Sequence, residues 1–380
     1  MMRIILNSML VLVFPLSVYA ADLPIESIPS VETLPETYPD TWVYAHDFNF
    51  YALQDGKVAI IDVAAKSRNF KGTVGVAGFG SFQHSSSRPE LYSAQTFFSR
   101  GSYGERTDTV VIIDKVSLKP IDEIIVPTKR QQVVTQVNSF QLTDGERMGL
   151  LMNFTPAASV TVLDLVNRKV LSEIDIPGCN FVFPTGKRGF SSLCADGTLA
   201  SFTLSEEGAV TSSTRSEAFI DIDEDPLFVK NAIVGGITYF PSYHSRVQPV
   251  DFRADKPRIL ESWDMVSAEL RDENWRPSGW HVIAGNDEEL FVLMQADGKD
   301  GSHKDGGTEV WVFQPESGTL KRRIKLDTAG GSIAVTRSNP SYLVVTNAAM
   351  FLDVYAAGSG KFLRTITVGD AATPIVVHAN

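Results

Sequence analysis

The sequence predicts an all-β protein, a seven-bladed β-propeller that follows an extended N-terminal arm. A unit of two β-branched runs around a short polar turn recurs about seven times in the chain. The copies are spaced by roughly 40–60 residues, and a strand-only period of this length is typical of a propeller with one four-stranded blade per period. The one helix-like stretch, residues 264–274, is too short to change this fold class.

The clearest copy of the repeated unit is Thr109–Val126. Residues 110–113 form an unbroken β-branched run, Asp114 ends it, and a second apolar run over residues 121–126 follows a polar turn. β-branched side chains fit a pleated surface better than a helix, so two such runs across a short gap predict a β-hairpin. The copies start at Lys57, Thr109, Ser159, Thr198, Arg246, Thr308 and Met350.

An aspartate follows the first run in four of these copies. Because a carboxylate can accept the backbone N–H two residues further on, we expect each aspartate to stabilise its turn. A shared metal-binding or catalytic role is disfavoured because the copies would lie on different blades. The four residues are Asp62, Asp114, Asp164 and Asp251.

Short apolar runs outside the repeated units are the candidates for the inner strands of the blades. Strands that are covered on both faces are expected to be apolar throughout. The candidate segments are residues 41–44, 91–98, 133–142, 149–154, 180–183, 237–241, 290–294 and 342–346.

The N-terminal residues 1–20 have the features of a secretory signal peptide. Arg3 supplies positive charge, residues 4–18 are mostly apolar, and Val18 and Ala20 occupy the positions that favour small residues before a cleavage site. An uncleaved anchor is the alternative. Residues 21–38 contain three prolines and predict an extended arm, either disordered or laid on a partner, before a propeller over residues 39–380. If the source is a Gram-negative bacterium, the expected compartment is the periplasm.

Composition and spacing exclude several classes of function. A formal net charge of −11 argues against nucleic-acid binding, which needs clusters of lysine and arginine. No apolar run after residue 20 is long enough to span a bilayer. The six histidines are scattered without a zinc-binding spacing, and the acidic loop at residues 297–307 lacks the spacing of a calcium loop. We therefore predict no catalytic, cofactor-binding or metal-binding residue on this chain.

Cys179 and Cys194 are the only cysteines, and their spacing predicts a disulfide. The residues between them form two strands around Gly186 and Lys187, where glycine suits a two-residue type II′ turn. A hairpin centred there pairs residue 185 with 188 and, counting outward, Cys179 with Cys194. A catalytic dithiol is the alternative, although that chemistry usually uses a C-x-x-C spacing.

Four segments of the chain are distinctive in sequence. The first is RGSYGERTD at residues 100–108 with the strands that follow it, and the second is residues 179–199 including the cysteine spacing. The others are WRPSGW at Trp275–Trp280 and residues 309–320. Together they resemble the heavy subunits of methylamine and aromatic amine dehydrogenases, with matches from about Tyr38 to the C-terminus. Ser278 stands where that family has a glycine.

This resemblance implies a seven-bladed propeller within a periplasmic tetramer of two heavy and two light subunits. In that family the light subunit carries the tryptophan tryptophylquinone cofactor and the catalytic base. Primary amines are converted to aldehydes, and the electrons pass to a blue copper protein that resembles amicyanin or azurin. The heavy subunit supplies the scaffold, a docking surface and part of the substrate channel.

The resemblance also implies one channel residue. The family has a phenylalanine in a Gly-Gly-Phe stretch that lines the channel, and the matching stretch here is Ala77-Gly78-Phe79-Gly80. Phe79 is therefore the candidate, and a core residue at a blade edge is the alternative. Ala77 and Gly80 depart from the family pattern, which leaves the choice between methylamine and aromatic amines open.

Two hypotheses follow from the sequence. The first is the heavy subunit of a quinone-dependent amine dehydrogenase. The alternative is a stand-alone periplasmic propeller that binds a protein or ligand without redox chemistry. The presence or absence of a small, cysteine-rich, quinone-bearing partner discriminates between them.

Overall fold

A computed structural model describes residues 33–369 and 372–379, and these residues form an all-β propeller. The predicted signal peptide (residues 1–20) and most of the predicted arm (residues 21–38) lie outside the described residues. In chain order the strands are β1 (Trp42–Asp47), β2 (Lys57–Asp62), β3 (Phe70–Gly75), β4 (Ser81–His84), β5 (Glu90–Phe98), β6 (Arg106–Asp114), β7 (Pro120–Val126), β8 (Phe140–Thr143), β9 (Met148–Asn153), β10 (Ser159–Asp164), β11 (Lys169–Asp175), β12 (Cys179–Pro184), β13 (Gly189–Cys194), β14 (Leu199–Leu204), β15 (Val210–Arg215), β16 (Ala232–Val234), β17 (Ile237–Pro241), β18 (Arg246–Asp251), β19 (Arg258–Ile259), β20 (Trp263–Asp264), β21 (Arg276–Pro277), β22 (Ile283–Gly285), β23 (Leu290–Gln295), β24 (Gly307–Gln314), β25 (Thr319–Val335), β26 (Tyr342–Asn347), β27 (Leu352–Ala356), β28 (Phe362–Ile366) and β29 (Pro374–Ala379).

Helical structure in the described residues is confined to short 3₁₀ turns. The helix-like stretch at residues 264–274 contains the longest of them, six residues. No helix among the described residues is long and apolar enough to cross a membrane. The four turns are Leu53–Asp55, Val137–Ser139, Ala268–Glu273 and Ser302–Lys304.

The prediction of seven separate blades is wrong. The described strands form six sheets, of which five are single blades with four or five strands each: β29-β1-β2-β3, β4 to β7, β8 to β11, β12 to β15, and β16 to β19 with β20. The sixth is one continuous sheet of eight strands, β21 to β28. It is continuous because β25 runs for 17 residues, pairing with β24 along its first part and with β26 along its last part. The repeats that start at Thr308 and Met350 therefore share a sheet, and counting repeats overestimates the separate sheets.

The repeated hairpins themselves are confirmed. β6 and β7 pair antiparallel across the turn at residues 115–119, and the recurring aspartates stabilise such turns as predicted. Asp114 accepts a hydrogen bond from the backbone N–H of Ser117 at 2.7 Å. Asp62, Asp164 and Asp251 accept backbone N–H groups two residues further on.

Most of the predicted inner strands are second from the propeller axis rather than innermost. The segments at residues 41–44, 91–98, 149–154, 237–241, 290–294 and 342–346 correspond to strands that have a further strand on their axial side. The innermost strands include β4 and β22, which are four and three residues long, and β29, which contributes His378 to a shared channel. β4 and β22 are too short to give a recognisable apolar run, which is why the sequence did not reveal them.

The hydrophobic core lies between the faces of neighbouring sheets. Tyr92 and Ile112 of one blade pack with Phe140 and Leu163 of the next, and all four are fully buried. Burying such side chains stabilises each interface by about 1.5–3 kcal/mol per residue. Each blade therefore depends on its neighbours for a core.

The last residues of the predicted arm pack against the second blade. The backbone N–H of Leu34 donates to the carbonyl of Val116 at 2.9 Å. The buried Tyr38 hydroxyl donates to the carbonyl of Lys115 at 2.6 Å, and its ring lies 4.8 Å from that of Trp42. The division of the chain at residues 20 and 38 stays a prediction.

Candidate functional site

The sequence-predicted channel residue, Phe79, lies in the loop between β3 and β4, in what we call the Phe79 turn (Ala77–Gly80). Gly78 and Phe79 are both left-handed, with φ values of +66° and +52°. A Cβ atom at Gly78 would lie 2.8 Å from the carbonyl oxygen of Thr96, so glycine is required there. A bulky residue in this region costs of the order of 1–3 kcal/mol and persists only where the surroundings impose it.

Two side chains from the loop between β7 and β8 impose this conformation. Arg130 donates from Nη2 to the carbonyl oxygen of Gly78 at 2.6 Å and from Nη1 to that of Phe79 at 3.0 Å. Thr135 donates its hydroxyl to the carbonyl oxygens of Phe79 and Gly80, at 3.0 and 2.8 Å. The carbonyl oxygens of the last three residues of the turn therefore all accept hydrogen bonds.

The Arg130 side chain is almost fully buried, with 1% of its surface exposed. Burial lowers the pKa of its guanidinium to about 10, while the nearby Asp108 carboxylate opposes that shift, so the group stays charged at neutral pH. The backbone N–H of Arg130 donates to Asp108 at 3.0 Å. Arg106 also binds both oxygens of Asp108, at 2.9 and 2.7 Å.

The ring of Phe79 belongs to an aromatic cluster that runs from the core to the surface. Its centroid lies 6.3 Å from that of Phe48 and 6.2 Å from that of Phe50. Phe48 is buried, Phe79 is partly exposed, and Phe50 is 43% exposed beside the almost fully exposed Tyr51. Such a gradient is suited to the wall of a channel or to a surface that a partner covers. The channel role of Phe79 stays a prediction.

The segment Trp275–Trp280 has one end in the core and the other against Thr135. Trp275 is buried with its ring 5.1 Å from that of Trp311, as expected for a tryptophan between strands. Trp280 instead donates its indole N–H to the carbonyl oxygen of Thr135 at 3.4 Å, the residue that holds Phe79. Trp280 is thus placed beside the candidate site.

A cavity of about 500 Å³, here called the Lys230 cavity, opens beside Trp280. The Nζ atom of Lys230 lies 4.9 Å from the ring of Trp280 and 5.5 Å from that of Phe228. Burial lowers the pKa of Lys230 to about 8. Within the described ranges no carboxylate forms an ion pair with it. A second cavity of about 630 Å³ shares Lys230 and His303 with the first.

The propeller axis contains a channel of about 300 Å³ that brings together three histidines far apart in the sequence, His84, His281 and His378. Burial lowers the pKa of His84 and of His281 to about 4, and it also holds the pKa of His378 well below its usual value. These rings are therefore neutral at pH 7. In the part of the chain that the structure describes, no group of three or more metal-binding side chains is close enough to hold an ion.

The predicted disulfide between Cys179 and Cys194 is confirmed, but the hairpin that carries it differs in detail. The two cysteines are directly opposed with Cα atoms 3.9 Å apart. Thr185 pairs with Gly189 rather than with residue 188, so the turn is one residue longer than predicted. A bulge at Phe181, which has a φ of +61°, removes the extra residue and restores the register.

Sequence reasoning missed three residues of this region: Arg130, Thr135 and Lys230. Arg130 lies in the run Thr128-Lys129-Arg130, which has the composition of an exposed loop. Its burial depends on Asp108 of β6, which no local pattern indicates. The sequence contained only an indirect indication of the role of Arg130. Its partner Asp108 and the neighbouring Arg106 belong to the segment RGSYGERTD, which resembles the amine dehydrogenases.

Comparisons with known proteins agree with that resemblance. The family model described as methylamine dehydrogenase heavy chain matches residues 42–379. The heavy chain of methylamine dehydrogenase from Methylobacillus flagellatus is 25% identical over 360 residues, covering 91% of this chain and 90% of that protein. The corresponding protein from Paracoccus versutus is 28% identical over 279 residues, covering 72% of this chain and 65% of its own length.

A solved structure supports the fold alone. A functionally unknown protein from Desulfotomaculum acetoxidans superposes with a TM-score of 0.57 at 12% identity, covering 89% of this chain and 99% of that one. The propeller architecture is thus shared at an identity that carries no functional information.

Proposed function

Because the chain belongs to the methylamine dehydrogenase heavy chain family, we propose that it is the heavy subunit of a quinone-dependent dehydrogenase acting on primary amines. The overall conversion takes one alkylammonium ion and one water to an aldehyde and ammonium, releasing two electrons and two protons. The observation that carries the proposal is the family match over residues 42–379, nearly the whole described propeller.

In this proposal the chemistry takes place on a light subunit, in a tetramer of two heavy and two light chains. The light subunit would carry the tryptophan tryptophylquinone cofactor, which accepts the electrons of the amine, and a blue copper protein would take them onward. The heavy chain would act in the periplasm, which the signal-like residues 1–20 and the disulfide between Cys179 and Cys194 support.

The role proposed for this chain is to hold the light subunit and to shape the approach of the amine. The cluster of Phe48, Phe50 and Phe79 supports this role because it ends in partly exposed aromatic side chains. Aromatic residues are enriched where protein surfaces are covered by a partner. Phe79 would then line the channel between solvent and the quinone.

Purification from the native periplasm tests the assembly. The tagged chain is expected to recover a small, cysteine-rich subunit that stains for a quinone, in equimolar amount, together with amine-dependent reduction of a dye. Recovery of a folded monomer with neither the staining subunit nor the activity would overturn the proposal and favour a stand-alone propeller.

Substitution of Phe79 tests the channel. In the purified complex, Phe79→Ala is expected to change the ranking of short alkyl and aryl amines by kcat/KM, because one pocket contact is worth about 1–3 kcal/mol between substrates. Phe154→Ala is the matched control, since Phe154 is a 53% exposed aromatic residue on another loop. An unchanged ranking in Phe79→Ala would remove this residue from the channel.

A further inference from the structure

We propose that Arg130 is a positioning residue that fixes the Phe79 ring through the backbone of the Phe79 turn and thereby sets which amines pass it. This inference rests on the proposed channel role of Phe79. Arg130 would not touch the amine. It would act by holding two successive residues in a backbone conformation that the chain would otherwise leave.

The first step in the argument is the match between the guanidinium and the turn. Its two terminal nitrogens bind the two successive carbonyl oxygens of Gly78 and Phe79, at 2.6 and 3.0 Å. A planar fork with fixed donor directions can bind both oxygens at once, whereas a lysine ammonium provides a single point of charge. The left-handed conformation of Phe79 is therefore tied to a geometry that arginine alone among the side chains provides.

The second step is that the guanidinium of Arg130 is itself fixed by hydrogen bonds to a neighbouring strand. Its Nε and Nη2 atoms donate to the hydroxyl of Thr96 at 3.1 and 2.6 Å, and this hydroxyl donates in turn to Asp108 at 2.6 Å. Asp108 is fully buried and also binds Arg106. The anchor of the turn thus extends into the central strands β5 and β6 of the second blade.

The third step concerns charge. Arg106 and Arg130 both lie close to the single carboxylate of Asp108, and the guanidinium of Arg130 donates its hydrogen bonds to carbonyl and hydroxyl oxygens. Removing one member of such a buried network is strongly destabilising, because the groups left behind lose their partners. Arg130 therefore both stabilises this part of the fold and fixes the conformation of the turn.

The fourth step is that two separate segments converge on the same turn. Residues 100–108 end at Asp108, which holds Arg130, and Trp275–Trp280 ends at Trp280, which holds the carbonyl of Thr135. Thr135 donates to the carbonyls of Phe79 and Gly80. Phe79 is thus held by Arg130 and Thr135, each of which is contacted by one of the segments that resemble the amine dehydrogenases.

Loss of the hydrogen bonds from Arg130 and Thr135 should change the backbone conformation of the Phe79 turn. A left-handed phenylalanine costs of the order of 1–3 kcal/mol, so without its hydrogen bonds the turn is expected to populate ordinary φ values. The ring would then leave its position beside Phe48 and Phe50. A displacement of about 1 Å at a reaction channel can change rates by up to about 100-fold.

The test uses Arg130→Lys and, as an independent second variant, Thr135→Val in the complete complex with the light subunit. The matched control is Arg364→Lys, because Arg364 also binds backbone carbonyls, those of residues 63–65, in a different loop. Hydrogen exchange of residues 76–80 reports the turn itself, and kcat/KM for short alkyl and aryl amines reports selectivity.

Both test variants are expected to speed exchange in residues 76–80 about tenfold and to change the alkyl-to-aryl selectivity about tenfold, with no change in the control. Unchanged exchange, or faster exchange with unchanged selectivity, would overturn the role of Arg130. The latter result leaves the proposed function standing if Phe79→Ala still changes the ranking. If Phe79→Ala also leaves the ranking of amines unchanged, the proposed channel role of Phe79 is wrong instead. If Arg130→Lys does not fold, Thr135→Val decides the outcome alone.

Discussion

The structure accommodates two cations, the buried Arg130 and the partly buried Lys230, in different ways. Arg130 is 1% exposed, and each of its guanidinium nitrogens donates a hydrogen bond near the carboxylate of Asp108. Lys230 lies beside a cavity of about 500 Å³, with the rings of Trp280 and Phe228 as its close neighbours. The first cation is part of the scaffold, whereas the second faces open space.

The comparison shows that a cation removed from water can either be fixed by hydrogen bonds or keep a protonation state that changes with pH. Burial lowers the pKa of Arg130 only to about 10, so it keeps its proton and its hydrogen bonds throughout the physiological range. The pKa of Lys230 falls to about 8, so its charge changes close to neutral pH. Aromatic rings attract a cation but do not compensate its lost hydration fully.

The largest effect is expected when the hydrogen bonds of Arg130 are removed. Arg130→Met should lower the free energy of unfolding by about 3–5 kcal/mol, because the carbonyls of Gly78 and Phe79 and the hydroxyl of Thr96 lose buried donors. Guanidinium denaturation of the isolated heavy chain measures this loss. A loss below about 1 kcal/mol would show that Arg130 is not a structural brace.

Removal of the disulfide, which lies in another blade, provides a reference because it should cost a similar free energy of unfolding. Cys179→Ser with Cys194→Ser should lower the free energy of unfolding by about 3 kcal/mol, because the disulfide closes a 15-residue loop. Amine selectivity should stay unchanged in the assembled complex. Thiol reduction of the unsubstituted protein should reproduce the loss, and an altered selectivity would mean that global destabilisation alone shifts the channel.

Removing the charge of Lys230 is expected to stabilise the fold, whereas removing that of Arg130 is expected to destabilise it. Lys230→Met should raise the free energy of unfolding at pH 7 by about 1–2 kcal/mol, because it removes a partly buried charge, although its cation–π contacts are lost. Lys304→Met, an exposed neighbour in the same cavity, should have little effect. A destabilised Lys230→Met variant would show that this lysine is a brace like Arg130.

The last prediction concerns the dependence of stability on pH. The pKa of Lys230 is lower in the folded chain, about 8, than its ordinary value of 10.5, so the unfolded chain binds more protons between these values. The free energy of unfolding therefore gains a contribution that rises from pH 8 to pH 10.5 and is absent below pH 8. Denaturation curves at several pH values should show this rise in the unsubstituted protein relative to Lys230→Met. Parallel curves for the two proteins would contradict the shift.

The strand class, the repeated hairpins, the aspartate-stabilised turns and the disulfide were all predictable from the sequence. Each depends on interactions between residues close in the chain. Asp114 binds Ser117 three residues away, and the two cysteines face each other within one hairpin. Within the disulfide hairpin, the turn is one residue longer than predicted and the bulge at Phe181 restores the register. This detail was not predictable, because a bulge depends on how the strand packs.

Tertiary structure alone decided the number of separate sheets, the innermost strands and the surroundings of Phe79. β25 joins two repeats into one sheet because it pairs with β24 along its first part and with β26 along its last part, which no repeat count reveals. Arg130 and Thr135 bind Phe79 from sequence separations of 51 and 56 residues, and Trp280 binds Thr135 from 145 residues away. Local propensity determines which strands and turns form, but a buried cation finds its acceptors only when distant strands pack together.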